Sequence, residues 1–297
     1  MANLSQIEDP DALDNRYADK IIVYVEGEGD QRLFSRIVGP DVADRLEFKT
    51  PADTTGGCSF VVSRVKAERL TNDKIFGLVD GEAAANHGAT DALLDCEGSL
   101  FALPAAAGLE GVIFLSGHEL ENVVLLHGEI YELIAKNVSL QSMGKADAAD
   151  VRKTLLALTP RFFIAALMKY ASLHVGLTVG ASVSVKGGVF VDPKASTVTL
   201  VRELRQQVVG GGGDWGAYKA EIGRILRRLR DRFEAEAITG EGLSDHLIRL
   251  ADGKNLLLRL RKIYAGVPKD GLLADALTRP PYADHFRAEL LALTQAA

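Results

Sequence analysis

The chain has 297 residues, of which 47% are hydrophobic and 25% charged, so it can build a sizeable core and is not a disordered protein. Its formal net charge is −6, which excludes a surface that attracts polyanions overall; any nucleic-acid binding must depend on a local basic patch or on metal ions. No stretch approaches the ~20 apolar residues of a membrane span, and the N-terminal residues lack the apolar region of a signal peptide. The two cysteines form no metal-type or disulfide pattern, so we expect a cytoplasmic protein without a membrane segment.

The first 117 residues alternate between strand and helix patterns. Four segments read as strands, KIIVYVEG, LEFKT, KIFGLVDGE and GVIFL, and two lie between them as helices, DQRLFSRIVG and SFVVSRVKAERL. Strands that are apolar on both sides are typical of parallel sheets buried on both faces. The order therefore predicts an α/β fold with a parallel, Rossmann-like sheet.

The remainder of the chain has mainly helical patterns. HELENVVLLHGEIYELIAKNV predicts helix with a glycine interruption, and the following apolar stretch predicts one or two helices broken at Pro160. A small hairpin is expected to turn at Gly187-Gly188. Further helices are predicted over STVTLVRELRQQVV, over Trp215–Ala237, and on both sides of Gly253, with a flexible loop at residues 210–213.

These patterns predict three parts. Residues 19–127 form the sheet domain with the catalytic groups, residues 128–240 form a mainly helical insertion with the hairpin, and residues 241–297 form C-terminal helices that return to the first part.

Acidic residues follow two of the predicted strands. Glu26 and Asp30 come after the first strand, and Asp80 and Glu82 come after the third. Reactive groups of parallel sheets collect beyond the carboxyl ends of the strands, and close carboxylates are unfavourable unless a cation neutralises them. Carboxylate oxygens suit Mg²⁺ or Mn²⁺, so these residues predict a divalent metal site. The alternative is a helix cap at Asp30 and a solvated acidic turn after the third strand.

The HELEN stretch adds further polar groups. His118, Glu121 and Asn122 would share a helical face at positions i, i+3 and i+4, with Glu119 pointing elsewhere. The functional interpretation is that Glu121 contributes a carboxylate to the metal site while His118 or Asn122 supports it. The alternative is a capped helix start whose polar groups are satisfied locally.

These segments together resemble a known family. VEGEGD followed by LVDGE resembles the TOPRIM pattern, LSGHELENVVLL resembles a stretch of the DUF4435 family of TOPRIM-like proteins, and GKNLLLRL resembles a segment of that family and of OLD-family nucleases. The resemblance covers residues 20–126 and 250–262. It departs from the family pattern at one position, because Glu82 stands where TOPRIM proteins usually have an aspartate.

The resemblance implies the roles of the site residues. Glu26 would be the general base or acid, or a metal ligand, and Asp80 and Glu82 would bind Mg²⁺. Asp30 and Glu121 would complete or orient that site. Lys254, which follows Gly253, would stabilise the transition state of phosphodiester hydrolysis; the alternative is a solvated surface lysine.

The resemblance also implies a biological role. DUF4435-like proteins include the nuclease effector of the PARIS anti-phage system, which attacks RNA when an ABC-type ATPase partner releases it. We therefore expect a toxic metal-dependent nuclease acting on RNA, tRNA in particular, with such a partner. The chain has no G-x-x-x-x-G-K-[ST] motif, so ATPase activity would belong to the partner. A homodimer is expected if paired strands are cut.

The run RILRRLRDRF is the most basic part of the chain. Arg224, Arg227 and Arg228 cluster on one side of the predicted helix and would hold a nucleic-acid backbone. The alternative is a solvated helix face.

Two other functions stay open. Acids at strand ends with a late lysine also suit metal-dependent phosphoryl transfer of the receiver or haloacid-dehalogenase type. A catalytically degenerate binding or regulatory module is the other alternative, which the departure at Glu82 favours.

Overall fold

A computed structural model describes residues 20–51, 57–96, 98–104, 107–126, 128–140, 146–179, 192, 195–264 and 269–295. The hairpin predicted at Gly187-Gly188 lies outside these residues. The chain divides into two compact units, one with residues 1–79, 103–113 and 278–297, the other with residues 80–102 and 114–277. The C-terminal helices that the sequence groups together are therefore divided between the two units.

Among the described residues, five strands form one sheet, which confirms the predicted α/β class but is not wholly parallel as the sequence predicted. They are β1 (Ile21–Tyr24), β2 (Leu46–Lys49), β3 (Ile75–Val79), β4 (Phe101–Ala102) and β5 (Val112–Leu115), in the order β2-β1-β3-β5-β4. β1 is parallel to both neighbours, with Val23 opposite Phe48 and Phe76. The two-residue β4, which the sequence analysis did not predict, pairs antiparallel with β5.

The central strands are buried along their whole length, and the edge strand β2 alternates between buried and half-buried residues. This difference follows the composition of the strands, because β1, β3 and β5 are apolar on both sides, whereas β2 carries Glu47 and Lys49. Gly77 of β3 has a packing role. A Cβ at this position would lie 2.7 Å from a methyl of Val61 and 2.9 Å from a methyl of Val65, so the missing side chain lets a helix approach the sheet closely.

The α-helices among the described residues of the first unit are α1 (Glu28–Val38), α2 (Cys58–Arg69) and α12 (Tyr282–Gln295). α2 supplies the valines that cover β3. α1 packs against α12, with the rings of Phe34 and Phe286 stacked at 5.5 Å. The C-terminal end of the chain thus completes the core of the unit that contains β1.

Apart from β4 and the end of β5, the described residues of the second unit are mainly helical. After a 3-10 segment at residues 81–87, its helices are α3 (Thr90–Asp95), α4 (Leu120–Leu125), α5 (Gly128–Leu140), α6 (Ala148–Val179), α7 (Thr197–Gly210), α8 (Trp215–Ala235), α9 (Gly240–Leu250), α10 (Gly253–Ile263) and α11 (Lys269–Leu277). The helices predicted from Ser196 onward are confirmed, and α3 was not predicted. α6 is central, since α5, α8, α9, α10 and the 3-10 segment all pack against it.

The predicted break at Pro160 is wrong, because α6 continues through this residue. A proline inside a helix removes the bond to the carbonyl four residues earlier. Buried packing on both sides compensates, since Leu155 and Phe162 lie in the core of the unit. The segment Ala148–Ser172 is the one described helix long and apolar enough to cross a membrane, but 56% of its most apolar window is buried inside the protein, as in a core helix of a soluble protein.

Candidate functional site

The turn after β3 and the turn after β5 lie against each other within the second unit. A Cβ on Gly81 would lie 2.6 Å from the carbonyl oxygen of Leu115 and still closer to that of Gly117. The Glu82 N–H donates to the carbonyl of His118 at 2.8 Å. The glycine between the two acids is therefore required by a close approach of backbones, which places Glu82 beside His118.

Asn122 joins this turn to the start of α10. Its side-chain oxygen accepts from the Glu119 N–H at 2.8 Å, and its amide group donates to the carbonyls of Ile248 and Ala251, both at 2.7 Å. Gly253 allows the contact, because a Cβ there would lie 2.7 Å from Cγ of Asn122. The Asn122 side chain is fully buried, and this linkage holds the start of α4 against the end of α9 and the residues that lead into α10.

The start of α10 brings Lys254 to the carboxylates. The Lys254 N–H donates to Oε2 of Glu119 at 2.7 Å, and its Nζ lies 3.4 Å from Oε1 of the same residue. Nζ also lies 3.0 Å from Oδ2 of Asp80, whose other oxygen accepts from the Leu120 N–H. Burial lowers the pKa of Lys254, but Asp80 and Glu119 outweigh this and raise it above its ordinary value, so the lysine is charged.

A second lysine, from α6, completes a row of alternating charges. Nζ of Lys169 forms an ion pair with Oε2 of Glu82 and lies 3.8 Å from Oε1 of Glu119. We call the five side chains the charged row, in the order Asp80, Lys254, Glu119, Lys169, Glu82. The expectation that the acids need a metal ion for neutralisation is therefore too simple, because two ammonium groups already lie between three carboxylates.

The imidazole of His118 lies at the Glu82 end of the charged row. Its Nε2 is 3.5 Å from Oε2 of Glu82 and has no hydrogen-bond partner among the described residues, while its Nδ1 is 2.6 Å from the hydroxyl of Tyr170. Burial lowers the pKa of His118 to about 4, although Asp252 and Asp80 oppose the shift, so the ring is neutral at neutral pH. Burial also raises the pKa of Glu119, while the ammonium group of Lys254 opposes this and favours the carboxylate form.

Three of these groups are arranged as metal ligands. One donor atom each from Glu82, His118 and Glu119 lies within 4.8 Å of the others. The unsatisfied, neutral Nε2 fits this role, because a buried polar atom without a partner is costly and a neutral imidazole is the form that binds metal. Two carboxylates and one imidazole suit first-row divalent ions.

The predicted HELEN geometry is wrong in one respect. α4 begins at Leu120, so His118 lies before the helix and Glu119 occupies its N-cap position. The ligand cluster among the described residues contains Glu119, whereas Glu121 is buried within α4 and adds to the negative field at Lys254. Glu119 takes the place predicted for Glu121 because α4 begins at Leu120, two residues after His118, where the predicted helical face starts.

Lys169 and Tyr170 were not predicted. Both lie on α6, fifty residues beyond the HELEN stretch, and the sequence pattern does not indicate which side of that helix faces the acids. One signal was available: Lys169 is the only charged residue between Arg161 and His174, within an otherwise apolar run.

The arginines predicted to bind nucleic acid are largely engaged in ion pairs. Arg224 binds Glu221 and, at 2.8 Å, Asp91 of α3, and Arg228 binds Asp91 and Asp95. We call Arg224 and Arg228 the arginine face of α8. A phosphate would have to displace these carboxylates, so the structure shows a packing role for both residues. Arg227 is exposed on the same helix, and nucleic-acid binding by the three stays a prediction.

Glu26 and Asp30 belong to the first unit. Glu26 is half-buried two residues beyond the end of β1, where its carbonyl accepts from the Gly57 N–H, and Asp30 lies in the first turn of α1. Both positions follow the predicted pattern of acids after a parallel strand. Their role as metal ligands stays a prediction.

Comparison with models of known protein families and with curated proteins finds no match to this chain. The resemblance to TOPRIM-like proteins therefore rests on the quoted motifs alone.

Proposed function

We propose that the second unit binds a divalent metal ion and that the protein is a metal-dependent phosphodiester hydrolase. The observation that carries this proposal is the ligand cluster of Glu82, His118 and Glu119 with two lysine ammonium groups beside it. Sites for phosphoryl transfer combine a metal ion with cationic side chains that stabilise the charge on the transferred group.

The side chains of the site have separable tasks in this proposal. Glu82, Glu119 and the neutral His118 hold the ion, and Asp80 keeps Lys254 in place at 3.0 Å. Lys254 is partly exposed, so its ammonium group can contact a phosphate oxygen that approaches from solvent. When bound, a divalent ion supplies an activated water and stabilises the leaving oxygen.

The finer assignment of the fold as TOPRIM-like is part of the proposal. It is supported by the parallel order β2-β1-β3 and by acids that follow β1 and β3. Glu26 would then act as the general base or acid, as the resemblance implies. The assignment makes Glu26→Ala an informative variant.

The substrate and partner also come from the resemblance. We propose RNA, with tRNA as the first candidate, and a role as the toxic effector of an anti-phage system held by an ABC-type ATPase. We propose a cytoplasmic location for this role, with which the free cysteines Cys58 and Cys96 are compatible.

The test is cleavage of labelled tRNA, single-stranded RNA and duplex DNA by the purified chain with Mg²⁺, Mn²⁺ or EDTA. Glu82→Gln and Glu26→Ala are compared with Arg152→Ala, which removes an exposed ion pair of α6. Metal-dependent cleavage that both acid variants lose and the control keeps is the expected result. If the variants leave cleavage and cellular toxicity unchanged, the hydrolase proposal is wrong.

A binding module without turnover is the second candidate. It is favoured by the charged row itself, in which two ammonium groups neutralise carboxylates with no metal ion required. Metal binding by the chain, without cleavage of any substrate in the presence or absence of an ATPase partner, would support this candidate.

A further inference from the structure

Lys169 occupies the position where a metal ion would contact two of its ligands. Its ammonium group is paired with Oε2 of Glu82 and lies 3.8 Å from Oε1 of Glu119, and both oxygen-bearing groups belong to the ligand cluster. An ammonium ion and a divalent cation cannot share these oxygens without strong repulsion. Binding of a metal ion at this cluster therefore requires Lys169 to leave Glu82.

His118 provides an independent indication of a metal ligand. The residue is fully buried, and Nε2 points toward Glu82 without a hydrogen-bond partner among the described residues. The Tyr170 hydroxyl, 2.6 Å from Nδ1, fixes the ring from its other side. This is the arrangement of a metal-binding histidine, in which a partner on one ring nitrogen orients the other toward the ion.

We propose that Glu82, His118 and Glu119 form a site for a first-row transition ion such as Mn²⁺, and that Lys169 is the internal cation that this ion must displace. The inference rests on the metal site of the proposed function, but not on hydrolysis.

The donor set determines the class of ion. Imidazole is a common ligand of transition ions, whereas Mg²⁺ prefers oxygen ligands and retains its waters. A cluster with one imidazole and two carboxylates therefore favours Mn²⁺ over Mg²⁺. The lysine can act as an exchangeable cation because its side chain is 28% exposed and flexible, so the ammonium group can move into solvent while α6 stays in place.

The experiment measures Mn²⁺ binding by the full-length chain from the loss of the electron paramagnetic resonance signal of free Mn²⁺, with no substrate present. Lys169→Met keeps the aliphatic stem and removes the competing charge, so we expect Mn²⁺ affinity to rise at least about tenfold. The control is Lys153→Met, an exposed lysine on the same helix, about 24 Å away along the axis. It should leave the affinity unchanged.

The ligand variants test the donor set. His118→Gln should weaken Mn²⁺ binding by about 10- to 100-fold and change Mg²⁺ binding, measured by competition, by much less. Because His118 is buried, Glu82→Gln serves as a second variant at a partly exposed ligand, and thermal melting verifies that each variant is folded.

Two outcomes would overturn the inference: a folded Lys169→Met variant whose Mn²⁺ affinity is unchanged or lower, or a folded Glu82→Gln variant that binds Mn²⁺ as tightly as the parent chain. If Lys169→Met tightens binding and nothing is cleaved, the inference stands and the hydrolase proposal fails. If the chain cleaves nucleic acid but Lys169→Met leaves the Mn²⁺ affinity unchanged, the hydrolase proposal stands and the inference about Lys169 fails.

Discussion

The charged row and the arginine face of α8 both pair cations with carboxylates in the second unit, but they differ in burial. Arg228 and its partner Asp95 are each at least 40% exposed, and the guanidinium group makes two contacts with the carboxylate. Glu119 is almost completely buried between two lysines, next to the buried His118. Exposed ion pairs such as Arg228–Asp95 join neighbouring helices at the surface. A buried set of charged groups with an unsatisfied nitrogen costs free energy and is typical of a ligand-binding site.

We expect a substitution in the turn that carries Asp80 and Glu82 to lower the free energy of unfolding more than a substitution at the arginine face. Gly81→Ala forces a methyl group against the carbonyls of Leu115 and Gly117, and backbone cannot move aside as a flexible side chain can. We expect a loss of about 3 kcal/mol or more in the free energy of unfolding, measured by urea denaturation.

Gly210→Ala is the matched control, since a Cβ at the end of α7 would meet nothing within 4 Å. It should be neutral or slightly stabilising, by up to about 1 kcal/mol. Equal losses in the two variants would show that the approach of the two turns is not what requires a glycine.

The close approach at Gly81 also shows where sequence reasoning reached its limit. The position of the acids at the ends of β1 and β3 could be predicted, because an apolar run in the sequence shows where each strand ends. Nothing local in the sequence indicated that Gly81 lies against Gly117, since that contact depends on a strand neighbour more than thirty residues away. The identity of the nearby carboxylate, Glu119 rather than Glu121, depended on where α4 begins.

The same distinction between local patterns and contacts distant in sequence explains where the structure departs from the other predictions. β4 has two residues, too few for a strand pattern, and it is defined by its pairing with β5. Pro160 was expected to end a helix because the local penalty is real, but packing around α6 overrides it. Lys169 reaches Glu82 across 87 positions of sequence, a distance at which helical periodicity carries no information about partners.

The contribution of the Asn122 linkage to stability can be measured by comparing alanine variants of two asparagines, Asn122 and Asn137. Asn122→Ala leaves the carbonyls of Ile248 and Ala251 and the N–H of Glu119 without this partner. We expect a loss of about 3 kcal/mol in the free energy of unfolding, since each unsatisfied buried group costs about 1 kcal/mol or more.

Asn137→Ala is the control for Asn122, because the Asn137 side chain donates to the carbonyl of Leu133 within its own helix, α5. Its loss should be about 1 kcal/mol or less in the same urea titration. A loss at Asn122 no larger than that at Asn137 would contradict the role given to the linkage.

The arginine face should show a smaller, salt-dependent effect. In a double-mutant cycle, Arg228→Ala and Asp95→Ala should couple by about 0.2–1 kcal/mol at low salt, as exposed pairs do. The coupling should nearly vanish in 1 M NaCl, where the screening length is about 3 Å. A larger coupling that survives high salt would mean that this face resembles the charged row more than its exposure indicates.

The smallest expected effect concerns His246 on α9, whose ring lies 5.3 Å from that of Phe233 on α8. Burial, together with the charges of Arg249 and Arg232, lowers the pKa of His246 to about 4. The unfolded chain takes up this proton near pH 6.5 and the folded chain only near pH 4, so the unfolded state binds more protons between these values. Stability should therefore decrease as the pH falls from about 6.5 to about 4.

His118 titrates in the same range, so the contribution of His246 must be obtained by difference. His246→Gln should flatten the decline of melting temperature between pH 6.5 and pH 4 without removing it, because the His118 contribution remains. An unchanged pH profile in this variant would mean that neither burial nor the charges of Arg249 and Arg232 impose a measurable cost on an imidazolium at this position. In that case the charges of Arg232 and Arg249 would be compensated by their partners, Glu236 for Arg232 and the carbonyls of Leu93 and Ser116 for Arg249.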